Sequence, residues 1–390
     1  MIQIPEHYKG REQAYFKHSL LKAYLERLFM IVGRFHNTIC YVDCFAGPWR
    51  EKSESLEDTS IAISLKIIQE CREGLKKLGK NVHFRALFIE KDPKAHKKLE
   101  TFLEKQNREV ETKPLHGEFF PLRSDILSWC GNDSFVFFFI DPTGWKQAVE
   151  LPTLAPLLKR PNSEFLINFM YDFLLRTHTQ KVFESDMYQI FGEAPDTTGM
   201  SPEEREEYLV TLYRTNLKKV VPSGNGRPRT ACVKVLKVLK ERTLYHLVYL
   251  TRHAKGITEF MEASQQLDIV QKKVRAAAQQ EHREEKSGQG ELYPADESVS
   301  EEDGRIDLSQ VKEYWLTKLS PVPRAFGVNE FADMLEETGW FMGDFQKAFG
   351  ELVKDGKAGN LNDDKGRRRS QFVHYKENSG KGEKLVKIKL

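Results

Sequence analysis

Cysteine is scarce in this sequence, and its spacing is irregular. The 390 residues include five cysteines, which form no CxxC pair and show no spacing suited to a zinc ion: Cys40, Cys44, Cys71, Cys130 and Cys232. An odd number of thiols also cannot close into a complete set of intramolecular disulfides. We therefore expect a reduced protein with no metal site and no disulfide framework.

Long apolar runs are also missing. The longest run outside helical periodicity is "FVFFFI", from Phe135 to Ile140, whereas a membrane helix needs about 20 apolar residues. The chain starts with "MIQIPEHYKGREQAYF", which has no basic segment followed by an apolar stretch and does not resemble a secretory signal. These two absences predict a cytoplasmic protein with no membrane partner.

Charge is present but unevenly distributed. The net charge is +3, yet residues 350–390 carry eleven Lys or Arg against six Asp or Glu, so this tail has a charge of +5 and the remainder −2. A basic terminal segment is typical of proteins that contact phosphate groups. Solvated surface charge explains the same pattern equally well, and both explanations stay open.

Apolar segments of strand and helix type alternate over the first half of the chain. Five strands are predicted at residues 38–45, 83–90, 112–117, 135–141 and 164–170, with amphipathic helices between several of them. Two further β-rich runs, "ACVKVLKVL" and "TLYHLVYLT", are separated only by "KERT", which is hairpin spacing. Five parallel strands followed by a hairpin are the layout of the Rossmann-like α/β sheet of class I methyltransferases, which has seven strands.

Changes in composition suggest four parts. Residues 1–36 form an N-terminal helical cover, and residues 37–286 form the sheet domain, with a polar helical insertion, interpreted as a lid, at residues 174–221. Residues 287–305 are rich in Gly, Ser and acidic residues, which is typical of a linker. Residues 306–390 read as helix, turn and helix followed by two short strands, "SQFVHYK" and "KLVKIKL", and predict a winged-helix domain.

Acidic residues stand at the ends of four predicted strands. Asp43 ends the first strand before the turn "CFAGPW", Glu90 ends the second, Glu118 follows the third and Asp141 follows the fourth. Carboxyl ends of parallel strands meet at one edge of the sheet, where doubly wound proteins bind their ligands. The pattern predicts a nucleoside site in which Gly47 allows close approach of the backbone. A plain strand-to-helix turn is the alternative explanation for Gly47 when it is considered alone.

The sequence resembles the three-Cys-motif partner protein (TcmP) family over about residues 10–265. The resemblance is carried by "KHSLLKAYL", "YVDCFAGPW", "FIEKD", "FIDPTGW" and "LVYLTRHAKGITEFMEAS". It implies a methyltransferase-like fold, S-adenosylmethionine (SAM) as cofactor and a partner protein with a three-cysteine motif. The implied cofactor contacts are Asp43, Phe45, Ala46 and Gly47 on the methionine and ribose side, Glu90 at the ribose and Glu118 at the adenine. Trp49 stands where motif I usually has its final glycine.

The segment "DPTGW" resembles the (D/N)PP(Y/F/W) motif of amino-methyltransferases. The resemblance implies that Asp141 and the Pro142 carbonyl orient a target amine and that Trp145 stacks on a base. In the alternative explanation, Asp141 caps a helix and Trp145 belongs to the core. His178, after the fifth strand, is a further candidate base, although a surface histidine explains it as well.

The sequence is compatible with two functions. The first is a SAM-dependent methyltransferase acting on DNA or RNA, in which Arg367, Arg368 and Arg369 of the predicted wing contact phosphate groups. The second is a non-catalytic methyltransferase-like scaffold that binds nucleic acid or a protein through the winged helix. A nicotinamide-dependent oxidoreductase is disfavoured because "FAGPW" lacks the GxGxxG pattern.

Overall fold

The computed structural model describes residues 4–5, 8, 10–47, 59–106, 109–142, 147–177, 180–222, 224, 226–290, 293–300, 306–362 and 371–388. Within these residues the strands form one seven-stranded sheet and one three-stranded sheet. No helix in this described part combines the length and apolar character needed to cross a bilayer.

The large sheet has the strand order β3-β2-β1-β4-β5-β7-β6. Strands β1 to β5 are parallel, and β7 is antiparallel to both β5 and β6. The predicted layout of five parallel strands and a terminal hairpin is confirmed. The seven strands are β1 (Thr38–Asp43), β2 (His83–Glu90), β3 (Glu111–His116), β4 (Phe135–Ile140), β5 (Ser163–Phe169), β6 (Arg229–Leu236) and β7 (Thr243–Thr251).

Nine helices of the described chain accompany this sheet. They are α1 (Glu12–Val32), α2 (Ser60–Lys77), α3 (Pro93–Glu104), α4 (Arg123–Cys130), α5 (Leu151–Leu158), α6 (Tyr171–Thr177), α7 (Glu184–Phe191), α8 (Pro202–Val220) and α9 (Ala254–Ser287). At the starts of α2, α3 and α8, side chains satisfy amide groups that lack partners in the first turn. Thr59 caps α2, Asp92 caps α3, and Ser201 with Glu204 forms a capping box on α8.

Both faces of the sheet are covered by helices. Alternate residues of β1 point to opposite faces, so Tyr41 joins the apolar cluster that includes α1, α2 and α9, whereas Val42 joins the cluster that includes α5, α7 and α8. Helix α1 lies over the face of the central strand β4, where the Tyr24 ring is 6.0 Å from Phe137. Helix α1 therefore covers a face of the sheet near its centre.

The predicted insertion is part of the second helical layer. The Tyr213 ring of α8 stacks on Phe169 of β5 at 4.4 Å, and Leu209 and Leu217 of the same helix are fully buried. A segment with this burial cannot open as a lid without exposing core side chains. The insertion instead supplies the cover that β5 needs on its second face.

The C-terminal part follows the order helix, strand, helix, helix, strand, strand. Its elements are α11 (Leu308–Lys318), β8 (Arg324–Phe326), α12 (Val328–Thr338), α13 (Met342–Lys354), β9 (Ala358–Asn360) and β10 (Glu383–Lys387), preceded by the short α10 (Ala295–Ser298) and including a turn of helix at Glu377–Gly380. The three strands pair antiparallel in the order β8-β10-β9.

One of the two C-terminal strands is misplaced in the sequence prediction. Residues 371–376 of the predicted strand "SQFVHYK" form no strand, and β9 pairs with β10 instead. The Gln346 side chain of α13 explains the difference, because it accepts from the Val373 amide and donates to the Val373 carbonyl, both at 2.9 Å. These bonds occupy the backbone groups that a ladder would need.

The segment predicted as a linker is partly ordered against α9. The Ala295 amide donates to Gln280 Oε1 at 2.6 Å, and the Asp296 side chain is buried. The C-terminal part also packs on the sheet domain, where Arg229 is 2.5 Å from Asp333 and Lys218 is 2.7 Å from Glu336. Residues 293–300 of the predicted linker therefore contact α9.

Candidate functional site

The candidate site lies at the carboxyl ends of the parallel strands, between β1 and its two neighbours. Asp43 pairs with Phe88 of β2 and with Phe139 of β4, so Glu90 and Asp141 each stand two residues beyond it on the adjacent strands. The chain order reverses between β1 and β4, which is the switch point where doubly wound sheets bind ligands. Three of the four predicted acidic strand ends thus meet at this position.

Asp43 is fully buried and holds the start of α2. Its carboxylate accepts from Ser60 Oγ at 2.7 Å and from the Phe45 amide at 3.1 Å. Burial raises the pKa of Asp43 to about 6, and the negative charge of Asp141 acts in the same direction, against the lowering effects of the two hydrogen bonds and of Lys17. Asp43 therefore fixes the turn after β1 and the start of α2.

Gly47 lies directly against the Glu90 carboxylate. A Cβ atom at position 47 would be 1.7 Å from Glu90 Oε2, which no side chain can occupy without displacing the glutamate. The Ala46 amide donates to the Ile89 carbonyl at 2.8 Å and holds the turn on β2. Glycine at position 47 thus lets the turn contact the Glu90 carboxylate in its present position, and the turn and Glu90 form one continuous surface.

Glu90 itself is 7% exposed. Its Oε1 atom accepts from the Asp92 amide at 2.7 Å, at the start of α3. Within the described chain, Oε2 makes no hydrogen bond and remains the acceptor beside Gly47.

The third strand end contributes a more open surface. Glu118 is exposed two residues beyond β3, and the Gly117 amide joins this turn to β2 by donating to the Glu90 carbonyl at 3.0 Å. The half-buried Phe45 ring is 5.4 Å from the buried Phe119 ring. An aromatic pair and an exposed carboxylate therefore lie next to the glycine turn.

Asp141 is held by two side chains that the sequence reasoning missed. Lys17 of α1 forms an ion pair with Oδ2, and Asn168 of β5 donates to Oδ1 at 2.7 Å. Asn168 is 3% exposed, and among the residues that the structure describes its own Oδ1 atom has no hydrogen-bond partner. Since a buried acceptor without a partner costs about 1–3 kcal/mol, this oxygen is suited to receive a ligand N–H or O–H group.

Signals for these two residues exist in the sequence. Lys17 is spaced three, four and seven residues from Leu20, Leu21 and Tyr24, which places a lysine on the apolar face of α1. Asn168 interrupts the apolar strand "FLINF". Polar residues in such positions are candidates for a built site.

Of the remaining predicted site residues, only Pro142 belongs to the described chain, where it is buried directly after Asp141. Trp145, Trp49 and His178 are not among the described residues, and neither are the predicted phosphate contacts Arg367, Arg368 and Arg369.

A second polar group borders the end of β5. His246 of β7 is buried, with Nε2 2.9 Å from Glu206 of α8. Burial favours the neutral imidazole, but Cys232 and Glu206 outweigh it and raise the pKa of His246. Asp172, at the start of α6, pairs with Arg242 at 2.7 Å and with Lys237 at 3.0 Å. These contacts join α6 and α8 to the terminal hairpin.

Comparison with known proteins gives structural matches only: no protein-family model matches the chain, and no curated protein does. Among solved structures, the chain is similar to an O-methyltransferase from Bacillus cereus in complex with SAH, at 14% identity and a TM-score of 0.30, over 59% of this chain and 80% of that one. It is also similar to an SAH-bound methyltransferase from Podospora anserina, at 12% identity and a TM-score of 0.28, over 65% of this chain and 98% of that one.

Proposed function

We propose that this protein is a SAM-dependent methyltransferase whose cofactor binds in the crevice between Gly47, Glu90 and Asp43. The observation that carries the proposal is the contact between the glycine turn and Glu90, on the two strands next to the switch point of a methyltransferase-type sheet. A turn this close to a carboxylate leaves backbone and acceptor on one surface, which suits a ribose.

The described residues fit an adenosyl group in three respects. Glu90 Oε2 would accept from the ribose hydroxyls, and the adenine ring would lie near Phe45 and Phe119, with Glu118 as acceptor for its amine. Asp43 would stay below the ligand and keep the Phe45 amide and α2 in place, since both of its oxygens are already used. Bound SAM would supply an electrophilic methyl group on a sulfonium.

The chain's own contribution to methyl transfer would be placement of the nucleophile, which is the main catalytic requirement of such a reaction. Asn168 Oδ1 would accept an N–H or O–H of the methyl acceptor, because it is the buried acceptor without a partner beside Asp141. Lys17 pairs with Asp141 Oδ2 and holds the carboxylate in contact with Asn168. As the acceptor attacks, its proton would pass to the Asp141 carboxylate.

We further propose nucleic acid as the class of methyl acceptor and a winged helix as the fold of residues 306–390. The three-stranded sheet with α11, α12 and α13 supports the winged helix, and the basic tail supports phosphate contact. Helix α13 has only Lys347 and Lys354 as exposed side chains, and its Gly343 amide donates to Gln265 of α9 at 3.3 Å. Contact would therefore be made with the backbone through the wing, with little base readout.

The partner proposal rests on the family resemblance alone. In that proposal, a protein with a three-cysteine motif acts together with this chain.

Binding of S-adenosylhomocysteine tests the cofactor proposal. We expect the full chain to bind it in calorimetry, with a higher melting temperature, and Asp43→Ala to lose this binding. Asp355→Ala, which removes an exposed carboxylate at the end of α13, serves as the matched control and should bind normally. Absence of binding to the unmodified protein would overturn the proposal.

Transfer of labelled methyl groups from SAM to DNA, RNA or protein tests the acceptor class. The competing function is the non-catalytic methyltransferase-like scaffold that binds nucleic acid or a protein through the winged helix, and the contacts of Asp141 with Lys17 and Asn168 favour it because they occupy both carboxylate oxygens. Methyl transfer to nucleic acid that is lost in Asn168→Ala supports the enzyme. Cofactor binding without transfer to any of the three acceptors supports the scaffold.

A further inference from the structure

A second cavity lies at the opposite edge of the large sheet. Its volume is about 320 Å³, and it is bounded by the last turns of α1, the starts of β4 and β5, and the first turns of α9. The candidate methyltransferase site is at the carboxyl ends of the same strands. The sheet therefore separates the two sites, and nothing in the proposed function uses this one.

The walls of this cavity are apolar. Leu28, Ile31 and Val32 of α1 face Phe135 of β4, and Phe35 stands at the rim with 80% of its surface exposed. An engineered cavity of roughly 150 Å³ with such a lining binds benzene. The cavity here has about twice that volume and falls within the range of small-molecule sites.

The floor of the cavity is a carboxylate whose hydrogen bonds are complete. Glu164 accepts from the hydroxyls of Tyr24, Tyr249 and Thr251, each at 2.7 Å. A Cβ atom at Gly256 would be 2.5 Å from the Tyr249 hydroxyl, so glycine allows α9 to approach this cluster. Because Glu164 already has three donors, the floor does not call for a cationic ligand.

The rim carries positive charge that is not neutralised. Lys255 is exposed and forms no ion pair within the described chain, and the neighbouring His253 occupies the N-cap position of the 34-residue helix α9 without a side-chain capping bond. Burial, with His253 and Arg160 nearby, lowers the pKa of His36, so this imidazole is neutral at pH 7 and offers an N–H group.

The remaining carboxylate of the lining is already paired. Glu259 contacts Lys376 at 3.0 Å and Arg27 at 3.5 Å. The groups left for a ligand are therefore one lysine, two imidazoles and the first two amides of α9, above an apolar chamber, since the Gly256 amide already donates to the His253 carbonyl at 3.0 Å. This combination suits an anionic head on an apolar body.

We propose that this cavity binds a small amphipathic carboxylate. The aliphatic or aromatic body lies among Leu28, Val32 and Phe135, and the carboxylate meets Lys255 and the start of α9. The site is independent of cofactor binding, since no residue of its lining belongs to the Asp43 and Glu90 crevice.

Calorimetric titration of the full chain with octanoate, and with 1-octanol as the neutral analogue, tests the proposal. We expect octanoate to bind at least tenfold more tightly than octanol. Lys255→Met should weaken octanoate about tenfold and leave octanol unchanged, and Phe35→Ala, at an exposed rim position, should weaken both.

Lys347→Met is the matched control because it removes an exposed lysine on α13, and we expect it to bind octanoate normally. Asp43→Ala should also bind octanoate normally, which separates this test from that of the cofactor. Equal affinity for the two probes, or an octanoate affinity that Lys255→Met does not change, would overturn the carboxylate assignment. Absence of binding by both probes would overturn the site itself.

Discussion

The two edges of the large sheet each hold a buried carboxylate, but the two carboxylates accept hydrogen bonds from different kinds of donor. At the carboxyl edge, Asp43 accepts one hydroxyl and one backbone amide, and Asp141 adds a second negative charge nearby. At the amino edge, Glu164 accepts three hydroxyls. Burial raises the pKa of both groups.

This difference shows that Glu164 closes the floor of its cavity, whereas the carboxyl edge beside Asp43 keeps acceptors that a ligand can use. Glu164 organises hydroxyls from α1 and β7 into a closed floor, and its cavity offers apolar walls and a basic rim. Asp43 fixes a backbone turn beside Glu90 Oε2 and Asn168 Oδ1, two acceptors that have no partner within the described chain. The carboxyl edge is therefore suited to a ligand that donates hydrogen bonds, and the amino edge is suited to an anionic ligand.

The largest effect should come from the glycine at the carboxyl edge. In Gly47→Ala, the new Cβ would meet Glu90 Oε2 at 1.7 Å and displace the carboxylate from the proposed ribose position. We expect the affinity for S-adenosylhomocysteine to fall by at least about 100-fold, or about 3 kcal/mol, in calorimetry. Octanoate binding should not change.

Gly74→Ala is the control for this substitution, because the nearest atoms are the flexible end of Met30 at 3.3 Å. We expect it to bind the cofactor product normally. Normal binding by Gly47→Ala would show that the turn does not form the cofactor surface and would remove the contrast between the two edges.

A smaller effect is expected at the amino edge. Glu164→Gln replaces one acceptor oxygen by an amide nitrogen, while Tyr24 and Tyr249 both donate to the same oxygen of the glutamate. A hydroxyl without its acceptor should lower the free energy of unfolding by about 2 kcal/mol, measured by urea denaturation at pH 7.5. A more stable Glu164→Gln protein would mean that the cost of the buried charge exceeds its hydrogen bonds.

Much of the carboxyl edge follows from local sequence. The apolar strands ending in Asp43 and Glu90, the glycine between them and the capping residues Thr59 and Asp92 act on neighbours a few residues away. Such features can be predicted because period, turn chemistry and capping are local rules.

The contacts that complete the site are long-range, and local rules do not specify them. Lys17 and Asp141 are 124 residues apart in the sequence, and no local pattern around either residue predicts their contact. The same applies to the C-terminal part, where the Gln346 side chain takes the backbone groups of Val373 and removes a predicted strand. Side-chain competition for backbone groups is decided by packing, after the elements have met.

The smallest effect, and one of opposite sign, is expected for Asp43→Asn. The pKa of Asp43 is raised from 3.8 to about 6, so protonation favours the folded state below these values, and this contribution is lost as the pH rises through 6. At pH 7.5 the buried Asp43 charge lowers the free energy of unfolding by about 3 kcal/mol. The asparagine variant avoids this cost but loses the hydrogen bond from Ser60, which is worth about 1 kcal/mol. Asp43→Asn should therefore be more stable by about 1–2 kcal/mol.

Urea denaturation as a function of pH checks this sign. The gain of Asp43→Asn should shrink at pH 5 and disappear near pH 4, whereas Asp355→Asn, at an exposed position, should match the unmodified protein throughout. Stabilisation of Asp43→Asn together with loss of cofactor binding would show that the carboxylate is kept at a cost to stability because the crevice needs it. If Asp43→Asn is less stable at every pH, Asp43 behaves as we expect of Glu164: its hydrogen bonds stabilise the folded state by more than burial of its charge costs.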